Sequence, residues 1–155
     1  MTERRLPLAA AMALALAACG AGPAAPPAGG DDGAVAMPER ALLGTAEVEA
    51  SVVPTARIGE AAARQYGIDR ADDRVLVLVS VRAGDTAPAV TVSGHARDLR
   101  GVRQTLDFAP VTVDGHVDHV ATAHATGPDT LRLEIGVAGA DGARTTLRFS
   151  REIPR

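Results

Sequence analysis

Arg74-Val75-Leu76-Val77-Leu78-Val79-Ser80-Val81-Arg82 decides the fold. Between its two arginines every residue except Ser80 is valine or leucine, so both faces are apolar for most of the length. A half-buried strand would alternate, whereas a run of this kind fits a central strand covered on both sides. One covering layer is offered by the segment just before it, Thr55 to Tyr66, rich in Ala, Arg, Glu and Gln and closed by Gly67 at a helix C′ position. Ile58, Ala62 and Tyr66 are spaced to share one face of that helix. Further upstream Glu47-Val48-Glu49-Ala50-Ser51-Val52 alternates polar and apolar, and Pro54 ends it.

Downstream the chain reads as a succession of short strands. Ala89 to Leu99 puts Val90, Val92 and Ala96 inward and Thr91, Ser93, His95 and Arg97 outward. Gly101 marks a turn. Arg103 to Val113 then carries Leu106 and Phe108 on one face, and Pro110, which has no amide donor, assigns it to an edge or a bulge. Asp114-Gly115 signals a hairpin, followed by a weakly alternating Val117 to Thr126 and a break at Gly127-Pro128-Asp129. Leu131, Leu133, Ile135 and Val137 alternate cleanly, Asp141-Gly142 turns, and Ala143 to Ile153 closes with Leu147 and Phe149 inward. About seven short strands with turns every eight to twelve residues predict an all-β, antiparallel, immunoglobulin-like β-sandwich with one short helix after the first strand. No segment repeats with a period of about 20–50 residues.

The N-terminal part has a different composition. Arg4 and Arg5 precede an apolar run, Leu6 to Ala18, about thirteen residues long and short of the roughly 20 that span a bilayer. Leu16-Ala17-Ala18-Cys19 ends it, and Cys19 is the only cysteine. This is the layout of a bacterial lipoprotein signal: residues 1–18 removed, and Cys19 lipidated as the first residue of the mature chain. Several acyl chains at about 0.8 kcal/mol per buried methylene give durable anchoring. The plainer alternative is an export signal with an incidental cysteine. Gly20, rather than aspartate, after the cysteine points to the outer membrane. Residues 19–43 read as the lipidated cysteine and a flexible Pro/Gly/Ala-rich tether, and 44–155 as the folded domain.

Composition narrows the function. Removing Glu3, Arg4 and Arg5, net +1, takes the formal charge of −3 to −4. A mildly acidic chain is a poor nucleic-acid binder. Tyr66, Phe108 and Phe149 are the only aromatic residues, too few for stacking platforms. A single cysteine excludes any intrachain disulfide, so stability rests on an aliphatic core.

Three groups of side chains offer chemistry. His116, His119 and His124 with Asp114 and Asp118 contain imidazole and carboxylate ligands for a metal. Strand spacing puts His124 roughly 20–25 Å beyond His116, so convergence would need His95 from another strand, and His95 and His116 are the metal candidates. The bland reading is a set of solvated hairpin residues. Ser93 and His95 share a strand face, but no Gly-x-Ser-x-Gly elbow accompanies them. Arg70, Asp72 and Asp73, together with Arg97 and Asp98, form mixed-charge turns that serve either as a recognition patch or as internal ion pairs.

The order of features from Gly44 onward resembles a proteobacterial domain-of-unknown-function family, the one numbered 4426. The residues that carry the resemblance are Pro54, the helix ending Tyr66-Gly67-Ile68-Asp69-Arg70, the strand Val75 to Val81, and Gly94-x-Ala96-Arg97-Asp98-Leu99. The pairs Leu106-x-Phe108, Leu131-x-Leu133 and Leu147-x-Phe149 extend it over nearly the whole folded part. Where this chain has Asp98 the family has asparagine, and where it has Asp118 and His119 the family has aromatics. The resemblance implies a small periplasmic protein of this architecture and no mechanism. The reading that results is a lipid-anchored periplasmic binding or accessory module, non-enzymatic, without cofactor, held to the membrane by its lipid and meeting an envelope protein partner. The alternatives are an envelope enzyme whose site forms only in three dimensions and a metal-binding lipoprotein using His95 and His116.

Overall fold

The computed structural model describes residues 37–154, and the leader, Cys19 and most of the expected tether lie outside them. Its strands are β1 (Glu39–Leu43), β2 (Ala46–Pro54), β3 (Arg74–Arg82), β4 (Val90–Arg97), β5 (Arg103–Leu106), β6 (Ala109–Val113), β7 (His116–His124), β8 (Asp129–Gly139) and β9 (Arg144–Ile153). Between β2 and β3 lie a 3-10 turn, Thr55–Arg57, and the helix α1 (Glu60–Tyr66). All pairings are antiparallel, in a five-stranded sheet ordered β1-β2-β3-β7-β6 and a four-stranded sheet ordered β5-β4-β8-β9.

The valine–leucine run is the middle strand of the larger sheet. Val75, Val77, Val79 and Val81 face the core with Val48, Ala50 and Val52 of β2 and with Leu131, Leu133, Ile135 and Val137 of β8. On the opposite face Leu76 is buried, and Val120 of β7 and Ala63 of α1 are also buried outside the main core cluster. Both faces of β3 are therefore covered, which is what its composition demands. Thr55 ties the 3-10 turn to Ala71: its hydroxyl donates to the Ala71 carbonyl (2.8 Å) and accepts from the Ala71 amide (3.0 Å). Helix α1 ends at Gly67 in the left-handed conformation, whose amide returns to the Arg64 carbonyl at 3.2 Å.

Three expectations are corrected. The ordered chain begins ahead of Gly44, because Glu39–Leu43 pairs with β2; Leu43 is buried and Ala41 packs on the core while Arg40 and Leu42 face out. The expected strand from Arg103 to Val113 is two strands in different sheets, with the chain crossing between them at Asp107-Phe108. Gln104 clasps this crossing, its amide donating to the His124 carbonyl (2.8 Å) and accepting from the His124 amide (2.7 Å) across the two sheets. With these changes the strands number nine among the described residues. Pro110 does lie in an edge strand, β6, and Asp114-Gly115 forms the β6–β7 turn with both residues at positive φ. Gly94 allows β4 to approach β8 closely; a Cβ there would sit 2.7 Å from the Glu134 carbonyl oxygen.

Candidate functional site

The outward face of the β5-β4-β8-β9 sheet gathers Arg97, Arg103, Arg132 and Arg148, all exposed, with His95. Strand alternation sends Ala96, Leu133 and Leu147 into the core, and the residues between them face away from it. Register then aligns them in rows across the strands. One row is Thr105, His95, Glu134 and Arg148. The next is Arg103, Arg97, Arg132 and Ser150. An open depression of ≈ 570 Å3 runs along them, lined by His95, Arg97, Arg132, Glu134, Arg148 and Phe149 among others.

The two rows differ electrically. In the first, the Arg148 Nε donates to Glu134 Oε2 at 3.0 Å, and that bond holds the Glu134 carboxyl below the usual carboxylate range. The Arg103 guanidinium lies 3.1 Å from His95 Nδ1; because arginine can only donate, Nδ1 accepts and the ring proton sits on Nε2. In the second row Arg97 stands directly opposite Arg103 on one side and Arg132 on the other. Like charges in directly opposed positions have Cβ atoms about 4.5–5.5 Å apart and destabilise a sheet. Among the described residues no carboxylate forms an ion pair with any of the three.

The other expected site residues are placed as follows. Arg70 donates to the Ala56 carbonyl (2.8 Å) and lies 4.0 Å from Glu60, so it pins the helix–strand corner. Asp73 pairs with His124 Nδ1 at 3.6 Å and its carbonyl accepts from the Ala125 amide, while Asp72 is exposed beside it. Asp98 is not a surface recognition group. It is buried, accepts the Val102 amide at 2.7 Å and Arg100 at 3.3 Å, and so fixes the β4–β5 loop; backbone and Arg100 hydrogen bonds together outweigh its burial and lower its carboxyl pKa. Arg97 alone of that set belongs to the basic row. His95 and His116 are not brought together: His95 is on the outward face of the smaller sheet, and His116, in step with Asp118 opposite Ser80, is on the outward face of the larger one. Among the described residues no three His, Cys, Asp or Glu side chains converge to hold a metal. Ser93 and His95 do share a face, but the histidine is held by a cation at Nδ1, the reverse of the carboxylate that a nucleophilic serine's base requires.

Asp118 and His119 depart most from expectation, since both are buried rather than solvated. Asp118 lies under α1, accepting from Ser80 Oγ (2.6 Å) and Tyr66 Oη (3.2 Å). His119 faces the opposite way, paired with Val79 and Pro110, 9% exposed, with Nδ1 lacking a partner among the described residues. Burial pushes its pKa below the ordinary imidazole value, against the opposing pull of Asp118 and a Val90 backbone hydrogen bond. The unfolded chain takes up this proton near pH 6.5 and the folded chain only at lower pH. Its contribution to stability is thus complete above about pH 6.5, declines as the pH falls towards the folded-state value, and levels off below it. Thermal melts of wild type and His119→Leu between neutral and mildly acidic pH are expected to show a shallower decline for the variant; equal slopes would assign the acid sensitivity to other groups.

The model of a family described as a domain of unknown function, DUF4426, matches residues 41–154. No protein of curated function matches the chain in sequence. Among solved structures, a DUF4426 family protein from Pseudomonas aeruginosa is 22% identical with a TM-score of 0.66, over 76% of this chain and 94% of that one. FetP from uropathogenic Escherichia coli strain F11, crystallised after expression in the periplasm, is 12% identical with a TM-score of 0.54, over 76% of this chain and 95% of its own. A copper-bound variant of FetP, in which a glutamine replaces one glutamate, is similar at 12% identity and a TM-score of 0.53, over 76% and 91% of the two chains. These likenesses share the fold.

Proposed function

Because the chain belongs to the DUF4426 family, whose description assigns no activity, its function has to be argued from its own surface, and we propose that it is a non-enzymatic binding module of the cell envelope. It is exported by its leader, held on the periplasmic side through a lipidated Cys19 at the outer membrane, and meets an envelope protein that presents acidic side chains. The observation that carries this reading is the row Arg103–Arg97–Arg132. Three adjacent like charges oppose the pairing of the strands that bear them, and an anionic partner relieves that repulsion. Arginine suits the role because its planar fork engages carboxylates in bidentate fashion. Compartment is supported by the leader and the single cysteine. Among the described residues no helix is long and apolar enough to cross a membrane. Copper is bound in the FetP variant, whereas among the described residues of this chain no three His, Cys, Asp or Glu side chains lie together.

Titration of the full chain with an oligo-aspartate peptide tests the surface. Binding is expected to weaken steeply with salt, and a charge-reversed pair, Arg97→Glu with Arg132→Glu, is expected to lose roughly tenfold or more in affinity. Arg57→Glu, on the exposed 3-10 turn, is the control. Equal affinities for wild type and the sheet double variant would remove this face from the function.

A further inference from the structure

The β4–β5 loop is Arg97-Asp98-Leu99-Arg100-Gly101-Val102-Arg103. Leu99 and Val102 are large apolar residues left 62% and 52% exposed. Their exposure is imposed by the loop's own bonding. The Asp98 amide donates to the Val102 carbonyl (3.1 Å), the Gly101 amide to the Asp98 carbonyl (3.1 Å), and Gly101 takes φ +87°. Asp98 Oδ1 accepts the Val102 amide, and Asp129 Oδ1 accepts the Leu99 amide at 3.3 Å. The backbone is thus satisfied internally: Asp98 Oδ1 and Asp129 Oδ1 are turned to amides, Asp98 Oδ2 accepts from Arg100 at 3.3 Å and steadies that 83% exposed side chain, and Leu99 and Val102 are held out among Arg97, Arg100 and Arg103. We propose that this loop docks on an anionic lipid surface, Leu99 and Val102 entering the interfacial layer and Arg97, Arg100 and Arg103 meeting headgroup phosphates.

Charge complementarity and side-chain type select this occupant. Cationic residues flanking exposed aliphatic ones are the pattern of interfacial membrane contact. Protein partners are usually anchored by Trp, Tyr and Arg, with Leu and Val under-represented; the apolar residues of this loop are Leu99 and Val102, and it has no aromatic residue. The inference goes beyond the sheet-face reading and shares Arg97 and Arg103 with it; the two are told apart at Leu99, Arg100 and Val102, which lie outside the row of arginines, and at Arg132, which lies outside the loop.

The chain has no tryptophan, so Leu99→Trp in the full chain places a single reporter at the tip. On phosphatidylglycerol-containing vesicles with brominated acyl chains its emission is expected to shift to the blue and to lose roughly half its intensity. Leu42→Trp, at another exposed apolar position on β1, is expected to keep its aqueous spectrum, as is Leu99→Trp on purely phosphatidylcholine vesicles. Adding Arg100→Glu is expected to weaken the vesicle interaction about tenfold without changing oligo-aspartate binding. Quenching that is equal at positions 42 and 99, quenching that is equal on neutral vesicles, or an unshifted Leu99→Trp on anionic vesicles would each overturn the proposal. Loss of peptide binding with vesicle insertion intact would instead sink the sheet-face reading alone.

Discussion

Ile135→Ala is expected to lower the free energy of unfolding by about 2–5 kcal/mol. Ile135 is fully buried on β8, between Gly94 of β4 and Leu147 of β9. Its side chain fills space that neither neighbour can reclaim: Gly94 has no side chain, and the backbones of β4 and β8 are already in close approach. The cavity left by truncation would persist, which places the cost in the upper part of that range. The loss is large against the roughly 5–15 kcal/mol that domains possess in total. This chain has no reserve from disulfides, having one cysteine, and its core is built almost entirely from Val, Leu, Ile and Ala. Urea unfolding would show a lower midpoint with an unchanged slope. Leu42→Ala, at a site 68% exposed, should change stability by less than about 0.5 kcal/mol. If both substitutions cost the same, β8 is not the centre of the core.

Asp118→Ala is expected to cost about 1–3 kcal/mol and to loosen α1 from the sheet. The carboxylate is buried and bridges Ser80 of β3 to Tyr66, the last residue of α1. Removing it strands two part-buried hydroxyls, whereas Tyr66→Phe removes one donor and leaves the short Ser80 bond in place. Tyr66→Phe should therefore cost less, and a double-mutant cycle should return a coupling between the two positions. Limited trypsinolysis at the exposed Arg64 gives a local readout, with faster cleavage expected in the Asp118 variant. A second readout is the phenol itself. Burial, then the Asp118 charge, pushes the Tyr66 pKa above 10.0, and because Tyr66 is the only tyrosine its ultraviolet titration is unambiguous. Asp118→Ala should bring that titration back towards the ordinary value. An unchanged titration with unchanged proteolysis would mean that the helix is held by its apolar contacts alone.

Much of this fold can be read from local chemistry, because the relevant residues act within one strand or turn. The valine–leucine run announces a doubly covered strand, Pro110 an edge, Asp114-Gly115 a hairpin, and the alternation from Leu131 to Val137 a strand with one face in the core. The crossing at Asp107-Phe108 has no such mark. Leu106 and Phe108 keep the same alternation through it, and only the tertiary arrangement decides that one strand joins each sheet. β1 is hidden for a related reason: its five residues follow a Pro/Gly-rich stretch and gain their order from pairing with β2. The arginine row is legible only in fragments. Arg97 stood out beside Asp98, yet the charge that matters is its adjacency to Arg103 and Arg132, which register creates from three separate segments. Asp98 itself looked like half of a surface pair because sequence does not show that its oxygen is spent on the Val102 amide. Asp118 and His119 looked solvated since they follow a hairpin turn, and neither the helix above one nor the second sheet against the other is visible locally.

The crossing at Asp107-Phe108 bears on how the molecule comes into being. It makes both sheets discontinuous along the chain: the larger takes strands from both sides of β4 and β5, and the smaller waits for β8 and β9, the last to be made. No early portion of the polypeptide can therefore assemble a finished layer. Topologies of this kind close long loops before any contact rewards them, and they mature over milliseconds to seconds rather than microseconds. The arginine row inherits that schedule, because Arg132 arrives beside Arg97 only when the second half of the chain has threaded home. A nascent or clipped polypeptide without β8 can set Arg97 only against Arg103 across the β4–β5 hairpin, and the three-arginine row is complete only with the final stitch of the sheet.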